Sequence, residues 1–252
     1  MAQDPAAPPP NDSAELAKKL SNPVAALISV PLQNNFEFGG GPNDEGFRYL
    51  LNFQPVVPIT LNTNWNLISR TIVPVIQQND LIGTTRQGGL GDIVQSAFFS
   101  PKQPGPGGLI WGVGPVFLFP SATDSLLGSE KLGLGPTAVL LKQEHGWTYG
   151  ALVNQIWSVA GNDNRDEVNA TFLQPFLSYT TPKQTTFTIN SESTYDWEHE
   201  QWTTPVNLMV GQLVKVGGTP VQFQVGGKYY VAGPDAAPDW GIRFSVTLLF
   251  PK

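Results

Sequence analysis

Hydrophobic and polar residues alternate along most of this chain. The pattern is sharpest at the C-terminal end, where Ile242, Phe244, Val246, Leu248 and Phe250 alternate with Arg243, Ser245 and Thr247. Val221, Phe223 and Val225 alternate with Gln222 and Gln224, and Lys228 follows after a glycine pair. Phe187 and Ile189 alternate with Thr188, Asn190 and Glu192, and Phe47, Tyr49, Leu51 and Phe53 alternate with Arg48, Asn52 and Gln54. A period of two sends successive side chains to opposite faces of a strand, leaving one face apolar and the other polar. Clusters of Gly, Pro, Asn and Asp separate such segments and predict strands over 27–38, 46–56, 62–76, 89–100, 108–119, 133–143, 146–158, 168–180, 184–196, 202–214, 219–231 and 239–250. Glycine and proline blur the alternation within 109–119 and 134–142. Such strands exceed the roughly 5–6 residues common in soluble sheets. They match the roughly 9–11 tilted residues that cross a bilayer. The expected fold is all-β, a transmembrane antiparallel up-and-down β-barrel of about twelve strands with a short N-terminal helix.

The connections fit that geometry. With a periplasmic N-terminus, the inside turns fall at 57–61, 101–107, 144–145, 181–183 and 215–218. The outside loops fall at 39–45, 77–88, 120–132, 159–167, 197–201 and 232–238 and are mostly longer, as in outer-membrane barrels. Acidic residues gather at the outside loops and their edges, among them Asp44, Glu45, Asp80, Asp124, Glu130, Asp163, Asp166, Glu167, Glu198, Glu200, Asp235 and Asp239. Lys102, Lys142, Lys183 and Lys215 sit at inside turns. The tryptophans sort as well. Trp65, Trp111 and Trp147 follow inside turns, while Trp157, Trp197, Trp202 and Trp240 flank outside loops. Aromatic girdles at the two membrane interfaces predict that placement. The expected partners are therefore outer-membrane lipids and lipopolysaccharide, the latter through divalent cations shared with the acidic loops.

The N-terminal part reads differently. Residues 1–11 are rich in Pro and Ala and are expected to be disordered. Asp12-Ser13-Ala14-Glu15 has the form of a capping box, and Leu16 and Leu20 follow at helical spacing. This predicts a helix over 13–21, stopped by Asn22-Pro23, in a segment 12–23 that precedes a barrel over 24–252. The helix either lies on the surface or packs in one mouth of the barrel. Met1-Ala2-Gln3-Asp4 lacks a basic and an apolar signal region, so the chain is expected to be a mature form whose signal peptide has been removed on the way to the bacterial outer membrane.

Composition narrows the classes. The 252 residues are only 13% charged, about half the usual share for soluble proteins. The net charge is −6 and no Lys/Arg cluster occurs, which argues against nucleic-acid binding. The absence of Cys excludes disulfides, thiolate metal sites and a Cys nucleophile. No apolar run reaches the roughly 18 residues of a membrane helix.

Candidate chemistry is sparse. His145 falls in a tight inside turn and His199 in the acidic sequence Trp197-Glu198-His199-Glu200; neither has a partner at metal-ligand spacing. His199 is the sole candidate for an outer-membrane lipid hydrolase, which would need a serine and an orienting residue beside it. Gly89-Leu90-Gly91-Asp92 and Gly112-Val113-Gly114 precede no helix, so they lack the anion site of a phosphate loop. No enzyme, metal or cofactor is expected. The polar strand faces instead predict a lumen lined by Glu37, Arg48, Asn52, Gln54, Asn66, Arg70, Asp92, Asn154, Gln174, Asn190, Glu192, Gln222, Gln224, Lys228 and Arg243. Its mixed charge predicts little ion selectivity. The arginines would cost roughly 2–4 kcal/mol each against mid-depth lipid, which is why they are assigned inward. Phe98, Phe172 and Phe176 are candidates for a partly apolar path.

Several stretches resemble a known family. They are Leu20-Ser21-Asn22-Pro23-Val24-Ala25, Leu51-Asn52-Phe53-Gln54-Pro55-Val56-Val57-Pro58, Gly91-Asp92-Ile93 and Trp111-Gly112-Val113-Gly114-Pro115. Gly146-Trp147-Thr148-Tyr149-Gly150-Ala151-Leu152-Val153-Asn154-Gln155-Ile156-Trp157-Ser158 and Gln174-Pro175-Phe176-Leu177-Ser178-Tyr179 continue the series. In order and composition they resemble the outer-membrane transporter family linked to the meta-pathway of phenol degradation, whose members often carry the label neuromedin U. The resemblance implies an outer-membrane channel and no catalytic motif. Phe250 also resembles the terminal aromatic of outer-membrane barrels, although Pro251-Lys252 follow it. The function expected is passive uptake or efflux of small solutes, including hydrophobic or aromatic ones. A soluble secreted β-sandwich that binds a ligand is the alternative from another class.

Overall fold

Residues 12–251 are described by a computed structural model, Asp12 through its backbone alone. The expectation of disorder over 1–11 lies outside the described residues. One helix, α1 (Asp12–Leu20), precedes the strands. In chain order they are β1 (Ile28–Phe38), β2 (Phe47–Phe53 with Val56–Thr60), β3 (Trp65–Asn79) and β4 (Arg86–Leu90 with Ile93–Pro101). Next come β5 (Leu109–Phe119), β6 (Lys131–Glu144), β7 (Trp147–Gly161) and β8 (Asn169–Thr180). The last four are β9 (Thr185–Ser191 with Ser193–Asp196), β10 (Gln201–Val216), β11 (Thr219–Ala232) and β12 (Trp240–Phe250). Each strand pairs antiparallel with the next, and β1 pairs with β12 from Ile28 opposite Phe250 to Phe38 opposite Trp240. The sheet therefore closes into a twelve-stranded barrel, which overturns the sandwich alternative.

Three strands are interrupted by one or two residues, and the interruptions share a cause. The ladder is carried across them by Gln54 N donating to Pro31 O, Gly91 N to Pro74 O and Glu192 N to Pro205 O. In each case the acceptor belongs to a proline, which offers the ladder no N–H in return. The facing strand answers with a local irregularity.

The boundaries differ from expectation in two places. The first inside turn was expected at 57–61, around Pro58. Instead β2 runs to Thr60 and turns over 61–64, where Asn62 Oδ1 accepts from the N–H of Asn64 (2.8 Å) and Trp65 (2.9 Å). β1 reaches β2 no lower than Ser29 opposite Val56, and below that point β2 continues along β3 with Pro58 opposite Ile68. The loop expected over 77–88 shrinks to 80–85, because β3 and β4 pair out to Asn79 opposite Arg86. At the inside turn after β6, His145 and Gly146 both have positive φ (50° and 85°), the requirement of a two-residue hairpin matched to strand twist.

Alternation fixes the two faces. Leu208, Val225, Ile242 and Phe244 are exposed to the outside, whereas Asn207, Arg243 and Ser245 are buried on the inside. The apolar exterior is the surface a bilayer covers. Leu208→Arg, at mid-strand in β10, is accordingly expected to destabilise the barrel by roughly 2–4 kcal/mol in lipid vesicles. Equilibrium urea unfolding measures this, and a wild-type midpoint would refute the lipid-facing assignment.

Candidate functional site

The inner face is charged in its outer half and apolar at its lower end. Near the outer end, Glu37 of β1 is completely buried. Its Oε2 accepts from Arg48 Nε of β2 at 2.6 Å, and its Oε1 accepts from Lys228 Nζ of β11 at 2.6 Å. Tyr230 OH donates to the same Oε1 (2.8 Å) and accepts from Arg48 Nη2 (3.3 Å). Directly below, Arg243 of β12 grips Glu192 of β9 with two parallel bonds of 2.9 and 2.7 Å, while its Nε donates to Asn35 Oδ1 at 2.7 Å. Such bidentate guanidinium–carboxylate pairs are among the stronger hydrogen bonds and hold geometry firmly.

This belt separates two chambers. The outer one, about 300 Å³, is lined by Arg48, Gln78, Leu81, Leu126, Tyr230 and Pro238, with loop residues over it. The inner one, about 240 Å³, is lined by Arg70, Gln174, Phe176, Gln222, Gln224, Glu192 and Arg243 among others. Leu20, Ser21 and Pro23 of the N-terminal segment form part of the inner wall.

That segment closes the lower mouth, at the end of the barrel where the strands turn tightly. Leu16 and Ala17 on one face of α1, with Ala25 and Leu27, pack against Leu213 of β10 and Leu249 of β12. After the turn at Asn22-Pro23, Val24 enters a second cluster of Ile68, Phe98, Val139, Leu141 and Leu152, flanked by Phe172 and Phe176. Gln143 Nε2 of β6 ties the helix down by donating to Lys18 O at 2.8 Å. Of the two placements open from sequence, the helix takes the one inside the mouth. The three phenylalanines do point inward; Phe98 and Phe172 seat the segment, while Phe176 both flanks it and lines the inner chamber.

Most residues assigned to the lumen come together there. Asn52 and Gln54 both donate to Gln33 Oε1 (3.3 and 3.1 Å). Asn190 Oδ1 accepts from Asn207 Nδ2 at 2.8 Å. Gln174, Gln222, Gln224, Lys228, Glu192 and Arg243 share the belt or the inner chamber, and Asn66 and Asn154 are buried on the inner face. Asp92 is the correction. It sits at the break in β4, and its carboxylate accepts from the N–H of Ala122 (3.1 Å) and Ser129 (2.7 Å) and from Ser129 Oγ (2.7 Å). It staples the loop over 120–130 instead of lining the lumen, because β4 breaks at Gly91-Asp92 and redirects it. Tyr230 was missed, although period two from Lys228 places it on the same face. The charge balance also differs from expectation. Among the described residues Arg48, Arg70, Lys228 and Arg243 face only Glu37 and Glu192, so belt and inner chamber carry excess positive charge.

All seven tryptophans project outward near strand ends. At the lower end Trp65 meets Trp111 edge-on (5.7 Å) and Trp147 packs on Tyr179 (4.8 Å). At the outer end Tyr195 lies between Trp197 and Trp202, Trp240 stacks on Phe38 (4.7 Å), and Trp157 is exposed nearby.

His199 lies in the outer loop with carboxylates at both ring nitrogens: Asp196 Oδ2 at 2.9 Å from Nδ1 and Asp166 Oδ2 at 3.8 Å from Nε2. A hydrolase would need a serine hydroxyl at the second nitrogen. The hydrogen bond to Asp196, with its negative charge, holds the imidazole pKa above the ordinary histidine value. The charged pair is therefore complete at low pH and lost as pH rises through the elevated midpoint. Asp196→Asn is expected to lower the His199 midpoint in an NMR titration, and an unmoved midpoint would contradict the pairing. Among the described residues, no three His, Asp or Glu side chains converge as a metal set.

No protein-family model matches the sequence, and no curated protein does either. Solved structures are similar in fold. An outer-membrane channel from Pseudomonas putida F1 superposes with a TM-score of 0.68 at 14% identity, covering 89% of this chain and 94% of that one. Outer membrane phospholipase A from Escherichia coli superposes with a TM-score of 0.50 at 10% identity, covering 94% of this chain and 98% of that one. At these identities the likeness concerns the barrel fold.

Proposed function

We propose that this protein is a bacterial outer-membrane channel for passive movement of small solutes, gated at its periplasmic end by the N-terminal segment. One observation carries the reading. Two chambers lie in series inside a closed barrel, the inner one walled mainly by polar side chains, and the lower exit is blocked by residues that belong to no strand. A barrel stabilised by its interior alone would be packed through, since protein cores leave few voids larger than a water molecule. The similar fold of the Pseudomonas putida channel supports the same reading. So does the family resemblance in the sequence, and membership of that transporter family is part of the proposal.

The channel performs no chemistry on its solute. The histidine nearest to a catalytic arrangement is bound between carboxylates. The tryptophan girdles anchor the barrel at the two lipid interfaces. The acidic outer loops hold lipopolysaccharide through shared divalent cations rather than at one built metal site. Planar-bilayer recording of the purified chain is the test. Discrete conductance steps are expected, with long closures from the docked segment. A folded barrel that never conducts, even without that segment, would show the interior to be a structural plug.

A further inference from the structure

Arg70 stands apart from the other cations of the lumen. Arg48 and Lys228 share Glu37, and Arg243 has Glu192. Among the described residues no carboxylate lies within ion-pair distance of Arg70. The hydrogen bond it makes is to a neutral amide, Nη2 donating to Gln54 Oε1 at 3.2 Å. The carboxylate whose charge Arg70 feels, Glu192 on the wall of the same chamber, lies beyond ion-pair distance and is already gripped by Arg243, so the half-buried guanidinium is only partly compensated, which is costly. It lies, moreover, on the wall of the inner chamber. The same chamber has an apolar side made by Phe176, Met209, Leu20 and Pro23, and amide groups at Gln33, Gln174 and Gln222.

We propose that the inner chamber is a binding site for a small organic monocarboxylate, its carboxylate on Arg70 and its apolar body against Phe176 and Pro23. This rests on the channel reading and names the class of solute. The fork of an arginine matches a planar carboxylate with two parallel bonds, which an ammonium group or a neutral amide cannot reproduce. The amides supply further donors that turn toward either oxygen. Size sets the other limit. A chamber of about 240 Å³ is below the roughly 300–1,000 Å³ of drug-sized pockets, so it takes a single ring or a short chain. The excess positive charge of the belt above favours entry of an anion from outside. The Pro23 wall couples the site to the gate, because a ligand seated there touches the segment that must move.

The test is binding of benzoate to the full-length protein in detergent by calorimetry, with benzamide and acetate as probes of the two halves of the site. Benzoate is expected to bind at least tenfold more tightly than benzamide, which lacks the charge, and more tightly than acetate, which lacks the ring. Arg70→Gln is expected to weaken benzoate binding roughly tenfold or more while leaving benzamide unchanged. Arg70→Lys, which keeps the charge but not the fork, is expected to fall between. Heat-modifiable gel mobility establishes that each variant is a folded barrel. Equal binding of benzoate and benzamide, or an Arg70→Gln variant that binds benzoate like the wild type, would overturn the proposal. Acetate binding as tightly as benzoate would overturn its apolar half. Conductance without benzoate binding sinks this site and leaves the channel standing. Binding without conductance keeps the site and removes the channel.

Discussion

Deletion of residues 1–26 is expected to raise single-channel conductance several-fold and to shorten closures, with the barrel still folded. Every inter-strand pairing starts at Ile28 or later, so the deletion removes no ladder hydrogen bond. It does remove the body that fills the lower mouth. Leu213 and Leu249, nearly covered in the intact protein, would then meet water. At roughly 1.5–3 kcal/mol for each fully buried side chain of that size, some stability is lost, and closed-barrel yield is expected to fall slightly. Val24→Asp gives the same answer without shortening the chain. A carboxylate among Ile68, Phe98, Val139, Leu141 and Leu152 has no partner there and favours the undocked segment. Planar-bilayer recording checks both variants. If neither changes conductance, the ion-paired belt is the barrier and the segment is not a gate.

Glu37→Gln is expected to destabilise the barrel by roughly 3–5 kcal/mol, the range for removing one partner of a buried charged pair. The reason lies in what remains. Lys228, with a side chain only 5% exposed, and Arg48 would face each other across a neutral amide. The reverse truncation is milder: Lys228→Met leaves Glu37 with Arg48 and Tyr230. The double variant should recover part of the loss from Glu37→Gln, as coupled neighbours do. Urea unfolding in lipid vesicles measures all three. A change below about 1 kcal/mol for Glu37→Gln would mean that the belt is hydrated and carries little energy.

The barrel was legible in the sequence because lipid and lumen impose opposite demands on alternate residues. Period two around Ile242–Phe250 and Phe47–Phe53 read out both the strands and their faces. The lumen residues followed from the same alternation. It placed Arg48, Arg70 and Arg243 inside, but alternation has no information on neighbours across a barrel, so which cations were paired was not readable. Asp92 failed for a local reason, since a two-residue break turns its side chain to the loop. The first hairpin failed because Pro58 reads as a turn residue, whereas β2 carries it within the ladder, opposite Ile68 of β3. The plug was half legible. Leu16 and Leu20 announced an amphipathic helix without naming what it covers. The signal was present elsewhere: Leu213, Leu249, Leu141 and Leu152 fall on the inner face, and an apolar stretch facing a polar lumen calls for an apolar cover.

The pairing of β1 with β12 has a consequence for the order of assembly. The first strand of the barrel cannot complete its bonds until the last has been made, some two hundred residues later in the chain. Contacts of that separation are slow to form, and until they do both strands present open edges. Leu249, on the last strand, is also part of the floor on which α1 rests. The helix emerges first but has nowhere complete to dock until the seam is zipped. An unfinished barrel is thereby left unsealed, and sealing the mouth becomes the final act of folding.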